Sequence, residues 1–263
     1  MRWVPTYSRL LIWRGVYLGI LTAWFVKFPV LVFLFNSHVR IPVQSHPFFG
    51  SWWLDGYWPI LLYVLPIVGI LALFYPRKIW MQGASLLLVT SSLGLLWHIH
   101  AYNDATFVVV FWVSLWLFWW SGVVDTESQV QAICGVRLAL AVVSLMFLGG
   151  AVGKWTESYW NGEAVYEIYF LRKQLPTYVF LREQLDPSSL RALATWFSRS
   201  IILMETVLAT LLIWPARYAM TLGIPAMILM IAGSTLMLYS VIGALIWLVL
   251  AAYLVEQFEL RAA

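Results

Sequence analysis

The residues best placed to do chemistry in this sequence lie between 147 and 169, in the string FLGGAVGKWTESYWNGEAVYEIY. Lys154 closes an apolar run that contains Gly149 and Gly153, a four-residue spacing that lets a neighbouring helix or a ligand come close to the backbone. A lysine half withdrawn from water is easier to deprotonate, because desolvation penalises the charged form, and a neutral amine at such a place can act as a base. Trp155 and Trp160 are the aromatic walls that this chemistry would need. The same residues also read as a boundary lysine with belt aromatics at headgroup level, and on physics alone that plainer reading is preferred.

Charged groups inside apolar spans are costly and are functional candidates by default. Lys27, Arg137 and Glu205 are of this kind. At about 1.5 Å of rise per residue, Lys27 falls about 12 Å inside its span and Glu205 about 8 Å inside its own, depths similar enough for pairing. Arg137 sits in the opposite half, where a long side chain can snorkel to the headgroups. For Lys27 and Glu205 a buried ion pair is the alternative to a part in catalysis. His98 and His100, with Asp104 nearby, offer two imidazoles and a carboxylate to a divalent metal if the turn is extended. On a helix the two rings diverge by about 200 degrees, and interfacial histidines bonded to backbone or water are then the expectation.

The elements that must hold these residues follow from composition. The 263 residues are 62% hydrophobic and only 11% charged, which excludes a water-soluble globule. A span needs about twenty apolar residues. Runs at 13–35, 58–75, 79–98, 105–122, 131–152 and 200–215 qualify, and the tract 218–255 divides near Gly233-Ser234-Thr235 into 218–234 and 236–255. The expectation is therefore an all-α integral membrane protein, one domain over 1–263, built as a bundle of about eight transmembrane helices. Arg2, Arg9, Arg14, Arg77, Lys78, Arg217 and Arg261 then fall on one side. The positive-inside rule makes that side cytoplasmic, with both termini there and a bacterial inner membrane as the expected location. Basic residues do not cluster with aromatics in any soluble segment, so nucleic acid is not an expected partner; membrane lipids and other membrane subunits are. Cys134 is the single cysteine, which excludes a disulfide or thiolate metal cage within the chain.

The long segment 153–199 is expected on the outer side, with six basic and five acidic residues that nearly cancel. Asp186-Pro187 predicts a helix start, with Asp as the cap and Pro at the first helical position. Leu190, Leu193, Ala194 and Phe197 recur at helical spacing with Arg191, Thr195 and Ser198 opposite, the pattern of an amphipathic interfacial helix that can run into the sixth span. Upstream, FLRKQL at 170–175 and FLREQL at 180–185 echo each other and read as short amphipathic pieces at the membrane surface.

The string from Lys154 through Trp155, Trp160, Gly162 and Glu163 to Ala164 resembles the membrane-domain signature of the vitamin K-dependent gamma-carboxylases and their bacterial HTTM-domain relatives. Arg14-Gly15, the Pro76-Arg77-Lys78 turn, Asn103-Asp104, Glu205 and Arg217 occur in similar order. The resemblance implies a quinone or lipid pocket, with Lys154 as a base in quinone-linked chemistry and Gly149, Gly153, Trp155, Trp160, Gly162 and Glu163 around the cofactor. Two histidines of the family pattern have no counterpart: Ala105 stands where one is expected, and none occurs among Pro225–Leu229. The large extramembrane domain that captures the peptide substrate in the carboxylases also has no counterpart in these 263 residues. The expectation is a non-carboxylating accessory or assembly subunit; the alternatives are a quinone-linked enzyme and, last, a transporter. DoxX- and MauE-type proteins share a similar Gly/Lys span end.

Overall fold

A computed structural model describes residues 6–29, 58–96, 104–124, 128–174, 176–231 and 236–262. Among these, every regular element is helical. Six helices are long and apolar enough to cross a membrane, which makes this an integral membrane protein by length and composition: Arg9–Val26, Lys78–Leu96, Ala105–Val123, Gln129–Lys154, Pro187–Ile213 and Ser240–Gln257. Two further apolar stretches, Ile60–Phe74 and Ala216–Ile231, are shorter.

Both stretches contain a proline at which the helix changes its winding. Pro66 has no N–H to give, and the chain passes from helix Trp58–Val64 into a 3₁₀ stretch at Leu65–Ile70 before a last helical turn at Leu71–Phe74. Pro225 likewise leaves a carbonyl one turn back without its donor, and a π-helical stretch at Ala219–Gly223 precedes it.

The chain divides into two compact units, residues 1–142 with 234–263, and residues 143–233. In the first, helix Lys78–Leu96 lies along helix Ala105–Val123, and helix Thr6–Val26 packs on both Ala105–Val123 and Leu236–Ala262. Its interior is rich in large rings: Trp13, Tyr17, Trp24, Phe107 and Trp120 are fully buried. Indole and phenol groups cannot be buried without partners at low cost, and two ties meet this for Trp24, Tyr63 and Trp120, whereas Trp13 Nε1 and Tyr17 Oη have no hydrogen-bond partner among the described residues. Trp24 Nε1 donates to Tyr63 O at 2.9 Å while Tyr63 Oη donates back to Trp24 O at 2.8 Å, with the rings stacked. Trp120 Nε1 donates to Arg9 O at 3.2 Å, and the Arg9 guanidinium donates to Val123 O at 3.1 Å.

The second unit is where the segment 153–199 lies, and that segment folds around a small core of its own. Val165, Phe170, Tyr178, Leu190 and Ala194 are buried together, with Tyr159, Tyr166, Tyr169, Leu181, Leu185 and Phe197 against them. The two echoed hexapeptides are thus packed on each other: Arg182 of the second donates to Phe170 O (2.6 Å) and Lys173 O (2.9 Å) of the first. Helix Pro187–Leu208 then runs unbroken from this core into the apolar span, as the sequence pattern allowed. Asp186 caps it, accepting from the Ser188 and Ser189 amides.

Candidate functional site

Along helix Pro187–Leu208 the buried positions are Leu190, Ala194, Ser198, Ile202, Glu205 and Leu208, a stripe at three- and four-residue intervals. Leu193, Trp196, Leu203 and Val207 form the exposed stripe on the other side. This corrects the face read from the sequence. Ser198 belongs to the buried stripe, where its hydroxyl reaches a carbonyl; Leu193 does not.

The polar residues of the helix act as a clamp. The short helical turn at Glu157–Trp160 ends with Gly162 N donating to Tyr159 O at 3.0 Å, and the carbonyls of residues 159–161 also take bonds from the helix. Ser198 Oγ donates to Tyr159 O (2.5 Å), Arg199 Nε to Trp160 O (2.9 Å) and Thr195 Oγ1 to Asn161 O (2.8 Å). The chain then turns at Gly162, whose φ of +83° is the left-handed region. A Cβ added at Gly162 would stand 2.4 Å from Thr195 Cα and 2.6 Å from Thr195 N, so only glycine lets the turn come down onto the helix.

The clamp fixes the end of helix Gln129–Lys154 against Glu205. Lys154 Nζ donates to Glu205 Oε2 at 2.7 Å, to Glu205 Oε1 at 2.9 Å and to Gly150 O at 3.2 Å. These three contacts account for the three donors of an ammonium group. The carboxylate side chain is 9% exposed and the lysine side chain 27%, so the pair is closed on the acid and open on the amine. A Cβ at Gly150 would come within 3.2–3.4 Å of the Glu205 carboxylate. Gly150 is therefore the glycine that admits a close approach. Gly149 and Gly153, expected from their spacing to do so, have nothing within 4 Å of an added Cβ. The four-residue step from Gly150 to Lys154, one helical turn, was the signal in the sequence for the glycine that matters.

Trp155 and Trp160 stack at 5.4 Å and an interplanar angle of 16°, and both are exposed, 52% and 39%. Trp155 Nε1 donates to Thr206 Oγ1 at 3.1 Å, beside Glu205. The Arg199 guanidinium carbon lies 5.2 Å from the centre of the Trp160 ring. The structure thus brings together Lys154, Glu205, Trp155 and Trp160 from the predicted set and adds Gly150, Arg199 and Thr206. Gly162 serves the turn, and Glu163 is an exposed first-turn residue whose amide donates to Asn161 Oδ1.

Lys27 does not pair with Glu205. Each has another partner, because the acid nearest in space to Lys27 is Asp104, in the first unit. Asp104 also accepts from Thr106 N at 2.9 Å as the cap of helix Ala105–Val123. His98 and His100 lie outside the described residues, and among the described ones no group of three metal-ligating side chains occurs. Outside the spans, burial lowers the ordinary basicity of Lys173, whose amine lies 4.1 Å above the Tyr169 ring, and the same burial raises Tyr169. No protein-family model, curated protein or solved structure matches this chain.

Proposed function

We propose that this chain is an HTTM-like, non-carboxylating integral membrane protein that holds the polar head of a lipid or quinone beside Lys154 and serves as an accessory or assembly subunit for other membrane chains. The observation that carries this is the saturation of the Lys154 amine by Glu205 and Gly150 next to two exposed, stacked indoles. An amine held as the ammonium by a buried carboxylate has no lone pair with which to take a proton, which argues for an anchoring role over that of a base. Its open side and the indole rim suit an amphiphile, whose head needs polar partners and whose tail needs an apolar wall. Ala105, and the run Pro225–Leu229 without histidine, speak against carboxylation. The basic residues gathered in alternate connections support cytoplasmic termini, and the resemblance to bacterial HTTM-domain proteins is what supports a bacterial inner membrane.

Acting as a base, Lys154 would first have to hand its proton to Glu205, which touches the amine through both oxygens. That contact is what keeps the quinone-linked enzyme as the second reading. Purification of the wild-type protein in mild detergent, followed by mass spectrometry of extracted small molecules and of co-purified chains, tests the proposal. The expected result is a retained amphiphile and stoichiometric partner chains, with the amphiphile lost from a Lys154→Met/Glu205→Leu double variant. A solitary monomer without bound amphiphile would overturn it.

A further inference from the structure

Arg199 is the group at this site whose charge remains unanswered. Its Nε is spent on Trp160 O and its plane lies near the Trp160 ring, but among the described residues no carboxylate pairs with it and no protein acceptor meets its two terminal nitrogens. Arg199 is a half-buried residue whose guanidinium is tethered at Nε by a carbonyl and lies near an indole, which leaves its terminal nitrogens for a ligand. A planar fork of N–H donors held in this way matches two oxygens of a phosphate. Lys154, in contrast, has its charge balanced by Glu205.

The spacing of these groups gives the ligand a shape. Arg199 and Glu205 are six residues apart on one helix, or about 9 Å of rise, with Arg199 nearer the polar segment and Glu205 further into the apolar span. Trp155 and Trp160 fill the interval between them, one bonded beside Glu205 and the other beside Arg199. We infer that the occupant of this site is a phosphate-headed lipid, its phosphodiester on Arg199, its neutral ester carbonyls at the Trp155 and Lys154 level and its acyl chains along the indoles. This rests on the amphiphile reading above and chooses within it, since a quinone has no anion for Arg199 to answer. A soluble phosphate ester shares the head chemistry but leaves the indole wall uncovered.

The test is native mass spectrometry of the delipidated full chain in detergent, titrated with phosphatidylglycerol, with diacylglycerol of the same chains and with glycerol 3-phosphate. Phosphatidylglycerol is expected to bind at least about tenfold more tightly than diacylglycerol, and Arg199→Gln should remove most of that advantage while leaving diacylglycerol unchanged. Should Arg199→Gln fail to fold, Arg199→Lys decides, because it keeps the charge and loses the fork; a severalfold weakening is expected. Equal binding of the two lipids, or an unchanged phosphatidylglycerol affinity in both variants, overturns the inference. So does equal competition by glycerol 3-phosphate, which would assign the site to a soluble ester. If the protein retains a quinone and no phospholipid, the inference fails and the amphiphile reading stands; if it retains neither, that reading fails as well.

Discussion

Among the described residues two lysine–carboxylate pairs occur, one in each unit, and they are built for different ends. Lys27 and Asp104 have side-chain exposures of 8% and 20%, so the lysine is the buried member. The acid is shared with a helix N-terminus through Thr106 N, and in the same unit Trp24 stacks on Tyr63 and meets Phe107 edge-on. Lys154 and Glu205 invert this: the acid is the buried member at 9%, the amine meets both of its oxygens, and the amine faces outward at 27%. The first pair acts as a fastening between helices. The second ties the end of helix Gln129–Lys154 to a buried acid and leaves the lysine as its more exposed member, and the difference lies in which partner is buried and what else the acid holds.

The largest effect should come from the turn that makes the second pair possible. Gly162→Ala places a Cβ against the Thr195 backbone and asks alanine to adopt a φ of +83°. The left-handed penalty of about 1 kcal/mol, with about 1 kcal/mol for each of the three clamp bonds at Tyr159, Trp160 and Asn161, sums to roughly 4 kcal/mol. The expected outcome is protease cleavage within 155–185 and loss of the lipid site, while residues 78–123 stay protected. Hydrogen exchange resolved by peptide checks this; equal loosening of both units would show that the clamp does not govern the second unit alone.

Next come the pairs themselves. Lys154→Met strands the buried Glu205 carboxylate, whereas Lys27→Met leaves Asp104 partly exposed and still bonded to Thr106 N. We expect about 3 kcal/mol of lost stability for the first and about half that for the second, read as thermal midpoints in detergent. Replacing both partners, in Lys154→Met/Glu205→Leu, should restore much of the loss, since a well-packed apolar pair avoids the uncompensated charge. A larger loss at Lys27 than at Lys154 would reverse the comparison.

Span positions were legible because an apolar run of about twenty residues has few other uses. The run at 131–152 became helix Gln129–Lys154, and the Asp186-Pro187 start stands where its cap chemistry put it. The 3₁₀ and π-helical stretches near Pro66 and Pro225 were not legible, because hydropathy does not feel the bonds lost at a proline. At the site, Lys154 and Glu205 were each recognisable as out of place. Their pairing was not, because it depends on a fold-back through Gly162 that brings Lys154 beside a residue fifty-one positions away. The roles of Thr195, Ser198 and Arg199 were hidden for a related reason. Each looks like an ordinary solvated helix residue until the carbonyls of residues 159–161 are placed beneath it.

The smallest expected effect tests where helix Pro187–Leu208 takes its start, and so how firmly the Glu205 stripe is aligned. Bonds from the Ser188 and Ser189 hydroxyls, and then from the Ser189 amide, hold the Asp186 carboxyl well below the usual aspartate range. A carboxylate with a depressed native value stabilises the fold fully above its ordinary value of about 3.9, and that contribution fades as pH falls through the native value. Asp186→Asn keeps an oxygen for the amides and cannot titrate, so it should change stability little at neutral pH and flatten the acid limb below about pH 4. Thermal midpoints of both proteins between neutral and acid pH read this directly. If the two curves stay parallel into acid, the cap is not what anchors the helix, and the alignment of Glu205 with Lys154 must come from the clamp at Thr195, Ser198 and Arg199 alone.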